Sequence, residues 1–374
     1  MKKKPFPYGH ARSPDWREAL QAALASCPWQ TFPSTLGFLY VSDHFEKALE
    51  AIVSALREQT GVEDWAGSIG AGICATGQEY LDEPALALMF TDIPQENYRI
   101  FSGMDPYTPD ASWPFPDGSL PYLAIVHGDS QTGGDPAVQV AELASRTGSG
   151  FLLGGITSSR HQGAQIARQV VHGGLSGVAF SAGVPLVARL SQGCSPIGPV
   201  HRVQEAQGNI VATLDRRPAL EILYEEVGDV LARDIRKAAG FIFAALPVRG
   251  DDRGDYLVRN LAGVDMEHGL VAIGDYIQPG QELMFCKRDG AGARQDLDRM
   301  LADILSLKED REIRGGLYFS CLGRGASLFG PHSAELRQIA GALDSAPLVG
   351  FFANGEISRD RIYGYTGVLA LFLD

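Results

Sequence analysis

The stretch GLYFSCLGRGASLFG, residues Gly316–Gly330, decides how the rest of the chain is read. An apolar, strand-like run ends at Cys321. A glycine-rich turn holding one arginine, Arg324, follows, and helical spacing begins after it. Strand, tight turn and helix in succession open a strand–helix–strand unit. Downstream, HSAELRQIAGAL (332–343) reads as helix, PLVGFFANGEIS (347–358) as a second strand with its turn, and GVLALFLD (367–374) as a return strand.

The same order occurs twice upstream. LGFLYVSD (36–43) is a strand, and HFEKALEAIVSALREQTG (44–61) repeats Phe45, Leu49, Ile52, Val53 and Leu56 at helical spacing. GSIGAGICATGQEY (67–80) and PALALMF (84–90) complete that copy. YLAIVHGDS (122–130), DPAVQVAELASRTG (135–148), GFLLGGITSSRH (150–161) and SGVAFS (176–181) form another. Glycines recur at the end of each second strand: Gly72 and Gly77, Gly154, Gly350 and Gly355. Glycine there signals a positive φ or a close backbone approach.

Residues 200–290 break this pattern. RVQEAQGNIVATLDRRPALEILYEEVGDVL (202–231) reads as a hairpin leading into a helix that starts near Pro218. YLVRNLAGVDMEHGLVAIGDYIQPGQELMF (256–285) reads as a meander, and AGARQDLDRMLADILSLKEDREI (291–313) as an amphipathic helix. The Gly-, Pro- and Ser-rich SQGCSPIGPV (191–200) suggests a boundary near residue 195 and a candidate hinge. The expected fold class is α/β with mixed, α+β-type sheets. It has two domains of repeated strand–helix–strand–strand units, with helices packed on the sheets. Residues 1–34 form an N-terminal extension, 35–195 one domain and 196–374 the other.

Composition narrows the function. The 374 residues are 45% hydrophobic and carry a net charge of −13. An acidic surface repels phosphate backbones and anionic lipid, so neither nucleic acid nor membrane insertion is expected. No apolar run approaches the ~18 residues that cross a bilayer. The five cysteines are odd in number, widely spaced and free of any CxxC. Reduced thiols in the cytoplasm, with no metal site, are the expectation.

The CLGRG turn admits two chemical readings. Backbone N–H groups at a helix start, joined by the Arg324 fork, form an anion clasp. Alternatively the glycines only bend the chain, and Arg324 pairs with an acid such as Glu356. If Arg324 and Glu356 share a cleft, they grip the two ends of a zwitterion. Cys321 beside an arginine raises a nucleophile reading, which needs a base and an orienting group as well. Polar residues gather at the other strand ends: Ser42 and Asp43, His127 and Asp129, and Thr157, Ser158 and Ser159. Such ends collect ligands in sheets of this order.

YFSCLGRG…LFG followed by APLVGFFANGEISRDRIYGYTGVLALF resembles the C-terminal signature of FIST domains, the F-box and intracellular signal transduction family. VATLDRRPALEILYEEVG looks like the start of the same half. GAGICATGQE and GFLLGGITSS resemble the N-terminal half more loosely. The resemblance spans roughly residues 35–374. It implies a sensory module, not an enzyme, that binds a small ligand such as an amino acid or another small carboxylate. It also implies a separate protein partner, such as a signalling kinase or cyclase. No cofactor is expected, with haem as the alternative because some members are considered gas sensors. For that alternative His127, His161 and His172 are the histidines to inspect. A Cys321-dependent enzyme is the remaining alternative. The candidate ligand-binding residues are Cys321, Gly323, Arg324, Gly325, Asn354, Glu356, Thr157, Ser158, His127 and Asp129.

Overall fold

The first repeat shows how the local sequence builds each layer. The computed structural model describes residues 3–103, 113–129, 131, 134–228, 240–248 and 254–374. Strand β1 (Tyr8–Arg12) and helix α1 (Trp16–Ala25), capped by the Asp15 carboxylate, precede the repeat. Strand β2 (Leu36–Ser42) is buried along its whole length. Helix α2 (Leu49–Thr60) sinks Leu49, Ile52, Val53 and Leu56 into the core and stops at Gly61 in a left-handed conformation. β3 (Asp64–Gly70) then runs parallel to β2. A short hairpin, β4 (Gly72–Ala75) and β5 (Gln78–Leu81), leads to β6 (Ala85–Thr91), which returns antiparallel to β2. β1 pairs with β6, so residues before 35 are built onto this sheet.

The second repeat begins after β7 (Tyr98–Phe101). It comprises β8 (Leu123–Gly128), α3 (Pro136–Ser145), β9 (Phe151–Ile156), the hairpin β10 (Ala164–Ala167) and β11 (Gln169–His172), and β12 (Leu175–Phe180). β13 (Leu186–Gln192) follows.

Residues 192–296 form a separate compact unit. Its strands are β14 (Cys194–Pro196), β15 (His201–Gln207), β16 (Ile210–Leu214), β17 (Arg217–Pro218), β18 (Ile242–Pro247), β19 (Tyr256–Asp265), β20 (Leu270–Ile273) and β21 (Glu282–Arg288). The antiparallel pairings run β21–β15–β16–β20–β19–β18 and return from β18 to β21, so the sheet closes on itself. Closure pairs each strand of this ring on both sides, with β14 and β17 attached to β21 and β16. Helix α4 (Ala219–Val227) begins directly after Pro218 and adds Leu220, Ile222 and Leu223 to the core of Val203, Val271 and Phe285. Residues 229–231 of the expected helix lie outside the described residues.

Helix α5 (Gly290–Lys308) carries the chain onward to the third repeat. That repeat holds β22 (Ile313–Cys321), α6 (Ala326–Phe329), α7 (Ala334–Ala342), β23 (Leu348–Ala353), the hairpin β24 (Glu356–Ser358) and β25 (Arg361–Tyr363), and β26 (Thr366–Leu373). Residues 297–374 belong to one compact unit with residues 1–191.

The reason lies in the strand pairing. Each repeat forms a mixed sheet around one parallel pair: β2 with β3, β8 with β9, β22 with β23. No repeat keeps its own hairpin. β4 of the first joins β23 of the third, β24 of the third joins β9 of the second, and β10 of the second joins β3 of the first. The exchange is cyclic, and one side of each parallel pair is covered by a neighbour's hairpin. The fold is therefore a mixed α+β architecture of three interlocked repeats plus a closed antiparallel unit.

Candidate functional site

The ladders give three equivalent positions where the repeats meet. Gly67, Gly154 and Gly350 lie opposite Leu39, Val126 and Tyr318 in the parallel pairs. The residues after those three partners are Tyr40, His127 and Phe319. Their rings touch: 5.6 Å between the centroids of Tyr40 and His127, 6.2 Å between His127 and Phe319, and 6.3 Å between Tyr40 and Phe319. Phe351 stacks on Tyr40 and packs against His127. His127 is fully buried, its Nε2 is 3.2 Å from the Tyr40 hydroxyl, and its Nδ1 has no partner. Burial pushes its pKa down to about 3, so the ring stays neutral.

These contacts decide the haem reading. The His127 ring is enclosed by three aromatic rings and leaves no face for a porphyrin. His161 and His172 are exposed at the surface, not set in an apolar pocket. The histidines singled out in the sequence do not fit a buried haem.

The CLGRG turn is an internal brace. Arg324 has no exposed surface. Its Nε donates to Glu335 at 2.7 Å, Nη1 to the Ser191 carbonyl at 3.2 Å and Nη2 to the Ser191 hydroxyl at 3.3 Å. Its guanidinium lies 4.8 Å from the Phe329 ring centre. Glu335 is also fully buried and accepts from the Tyr318 and Ser320 hydroxyls and from the Gly325 N–H. Gly325 supplies the turn with φ of 54°. The expected anion clasp is thus corrected: the anion held by Arg324 is the carboxylate of Glu335, eleven residues downstream. An acid in the first turn of the helix after an arginine-bearing loop was the sequence signal for it.

Glu356 sits apart from this brace. It is fully buried in β24, opposite Gly155 of β9. Its Oε2 accepts from the Thr366 N–H at 3.1 Å and the Thr366 hydroxyl at 2.7 Å, while no nitrogen or oxygen donates to Oε1 and the Cys321 thiol lies beside the carboxyl. Burial drives its pKa up to about 8, against the hydrogen bonds from Thr366, the charge of Arg324 and the Cys321 thiol. Cys321 is half-buried. Burial and the Glu356 charge push its thiol pKa up, so it is protonated and a poor nucleophile at neutral pH. A Cβ on Gly323 would lie 2.9 Å from the Tyr365 ring and 3.7 Å from the Cys321 Sγ, which places the Tyr365 ring beside this corner. Tyr365 itself is in the left-handed region, with φ of 62°.

Three strand ends converge beside Glu356. The Thr157 hydroxyl donates to the Ile69 carbonyl at 2.6 Å. The Ser158 hydroxyl donates to the Phe352 carbonyl and accepts from the Ala71 N–H at 2.9 Å. The Asn354 N–H donates to the Ile156 carbonyl at 2.9 Å, and Asn354 itself is exposed. The structure therefore brings Thr157, Ser158, Asn354 and Glu356 together, with Cys321 and Gly323 adjoining. Asp129 is buried and accepts from the Gln131 N–H at 2.8 Å within its own turn.

A second buried carboxyl titrates near neutrality. Burial and the neighbouring Glu335 charge raise Glu79 to about 7. A carboxyl whose pKa is raised on folding adds stability below its unfolded value, near 4.5, and loses it as pH rises through the folded value. Stability is thus expected to fall between pH 5 and 8, with Glu356 contributing about 2–4 kcal/mol. Urea unfolding across that range checks this, and Glu356→Gln should flatten the slope. Wild-type stability that stays level or rises would overturn it.

The closed unit holds another polar cluster. His201 Nδ1 lies 2.6 Å from Asp215 and its Nε2 2.7 Å from Glu226. Burial lowers its pKa, but the hydrogen bonds to Glu226 and Asp215 outweigh it and the net shift is upward. With both nitrogens engaged, His201 clamps structure and has no free position for proton transfer. Among the described residues no three or more His, Cys, Asp or Glu are placed so as to hold a metal ion, and no helix is long and apolar enough to cross a membrane.

Known sequences give the family, and their domain boundary near residue 218 falls within the closed unit of residues 192–296. The FIST N domain matches residues 35–217 and the FIST C domain residues 219–359. An uncharacterised protein of Mycobacterium tuberculosis is 29% identical over 401 residues, covering 98% of this chain and 99% of its own. An uncharacterised protein of Mycobacterium bovis is 35% identical over 201 residues, 51% of each chain. The two matched domains together span nearly all three repeats and the closed unit, and the chain belongs to the FIST family of signal-transduction sensor domains.

Proposed function

We propose that this protein senses a small amino acid or related amine-bearing carboxylate at the strand-end cluster of the third repeat. The bound state passes to a separate protein partner such as a kinase or cyclase. One observation carries the reading: the buried Oε1 of Glu356, to which no nitrogen or oxygen donates, beside polar strand ends. Arg324 is committed to Glu335, so the ammonium end of the ligand is the anchor, and the exposed Asn354 is available to the other end. Uptake requires the Tyr365–Gly323 corner to open. The ligand favours the opened arrangement by its differential affinity, and a partner reads that arrangement.

The Glu356 pKa gives this reading a signature. Near neutral pH the empty site holds a protonated carboxyl, whereas an ammonium group requires the carboxylate. Binding therefore releases a proton, and affinity rises with pH up to about 8. A thermal-shift screen with amino acids, simple amines and small carboxylates at pH 6, 7 and 8 tests it. A ligand at about 100 times its Kd adds roughly 2.7 kcal/mol of stability. The expected shift grows with pH and vanishes in Glu356→Gln. An amino acid whose effect is independent of pH and of Glu356 would show that the site lies elsewhere.

A further inference from the structure

A cleft of about 450 Å³ opens around the N-terminal end of β3, in the compact unit formed by residues 1–191 and 297–374. It lies at the opposite end of that strand from Ala71, which meets Ser158. Its wall carries three guanidinium groups, Arg57, Arg99 and Arg168, against two carboxylates, Glu63 and Asp64. That surplus of positive charge stands on a chain of net charge −13. A cationic concavity concentrates its field where the rest of an acidic surface does not.

The three arginines are held differently. Asp64 is buried, accepts the Tyr98 hydroxyl at 2.8 Å and accepts Arg168 Nε at 2.7 Å. Its charge is therefore spent inside the wall. Arg168 turns the β10–β11 hairpin with φ of 62°, a conformation that suits Asn or Gly better, and its side chain is 60% exposed. Arg57 pairs with Glu63, and both side chains are open to water, which makes a weak pair. Arg99 has no carboxylate partner among the described residues. Its Nη1 donates to the Tyr98 carbonyl at 2.8 Å, and its guanidinium lies 4.9 Å from the Phe115 ring centre. The fork is thus fixed in place with donors to spare.

We infer that this cleft is a binding site for a phosphate-type oxyanion carried by a small molecule, independent of the Glu356 site. A planar carboxylate engages one fork, whereas a tetrahedral oxyanion accepts from forks arriving in several directions. Guanidinium groups from α2, β7 and the β10–β11 turn supply those directions.

Isothermal titration of the full chain with inorganic phosphate, pyrophosphate and acetate at low salt tests the inference. Phosphate and pyrophosphate are expected to bind at least tenfold more tightly than acetate. Arg99→Gln removes a guanidinium that makes no ion pair among the described residues, so the fold is expected to survive, and oxyanion affinity should drop at least tenfold. Arg168→Asn, which keeps the left-handed turn, should weaken binding further when combined with it. Glu356→Gln should leave phosphate binding unchanged, which separates this site from the amino-acid reading. Wild-type protein that shows no heat with either oxyanion up to about 10 mM would overturn the inference. So would affinity retained in the double variant, or acetate binding as tightly as phosphate.

Discussion

Arg324→Ala is expected to destabilise the protein by about 3–5 kcal/mol, enough to remove much of the stability of an ordinary domain. The side chain touches no solvent. Its removal leaves Glu335 without its cation, in a site where Tyr318 and Ser320 supply only neutral hydrogen bonds. It also takes the guanidinium off Phe329 and frees the Ser191 carbonyl. The penalty comes from an unpaired buried charge, so deleting both charges should cost less than deleting one. Arg324→Met with Glu335→Leu should recover part of the loss. Recovery stays incomplete because the Gly325 N–H and two hydroxyls lose their acceptor. Urea unfolding of the two single variants and the double variant measures the coupling. An Arg324→Ala loss below about 1 kcal/mol would show that the brace is not what it looks like.

Gly350→Ala should be at least as damaging. A Cβ there would stand 1.8 Å from the Tyr318 carbonyl oxygen and 2.7 Å from its carbon. Those atoms are backbone of the paired strand, so no rotamer change relieves the clash. β22 and β23 would have to part at the centre of the third sheet. We expect more than about 3 kcal/mol lost and little soluble protein. The cyclic arrangement gives this prediction two companions: a Cβ on Gly67 meets the Leu39 oxygen at 1.7 Å, and one on Gly154 meets the Val126 oxygen at 1.8 Å. Gly341, in α7 with nothing within 4 Å of its would-be Cβ, is the control. Gly341→Ala should be neutral or stabilise by about 0.5–1 kcal/mol. Circular dichroism and thermal melts of the four variants distinguish steric exclusion from mere loss of backbone freedom.

Some of the residues named from the sequence are brought together by the fold. Strand ends rich in Ser, Thr and Asp marked where the repeats meet, and Thr157 and Ser158 do tie three strands together. Glu356 was singled out by its place after a glycine at a strand end, as a residue lining a cleft or pairing with Arg324; in the structure it is fully buried and hydrogen-bonds Thr366. Its expected relation to Arg324 was not realised. Charge complementarity in a sequence names possible partners, but only the packing selects one. Glu335, on the helix that follows the turn, reached the guanidinium first. Tyr40, Thr366 and Glu79 carried no local signal, because a strand tyrosine or a hairpin glutamate looks the same whether its contacts come from its own repeat or another.

By itself the sequence determined the three strand–helix–strand repeats, the different character of residues 200–290, the tight glycines and the family. All of these are written in spacing along the chain: helical and strand periodicities and the side chains that end them. Only the tertiary structure decided which strands pair. The Gly-, Pro- and Ser-rich segment 191–200 suggested a cut near residue 195, yet residues 297–374 fold with residues 1–191. The physical reason is that a β-hairpin carries its hydrogen-bonding capacity on its edges and is indifferent, locally, to whose sheet it joins. After Gly70, Ile156 and Ala353 the chain leaves each parallel pair, and the short hairpin finds a neighbour's open edge. That choice is a property of all three repeats at once. It interlocks distant parts of the chain and seats Glu356 against β9 of another repeat.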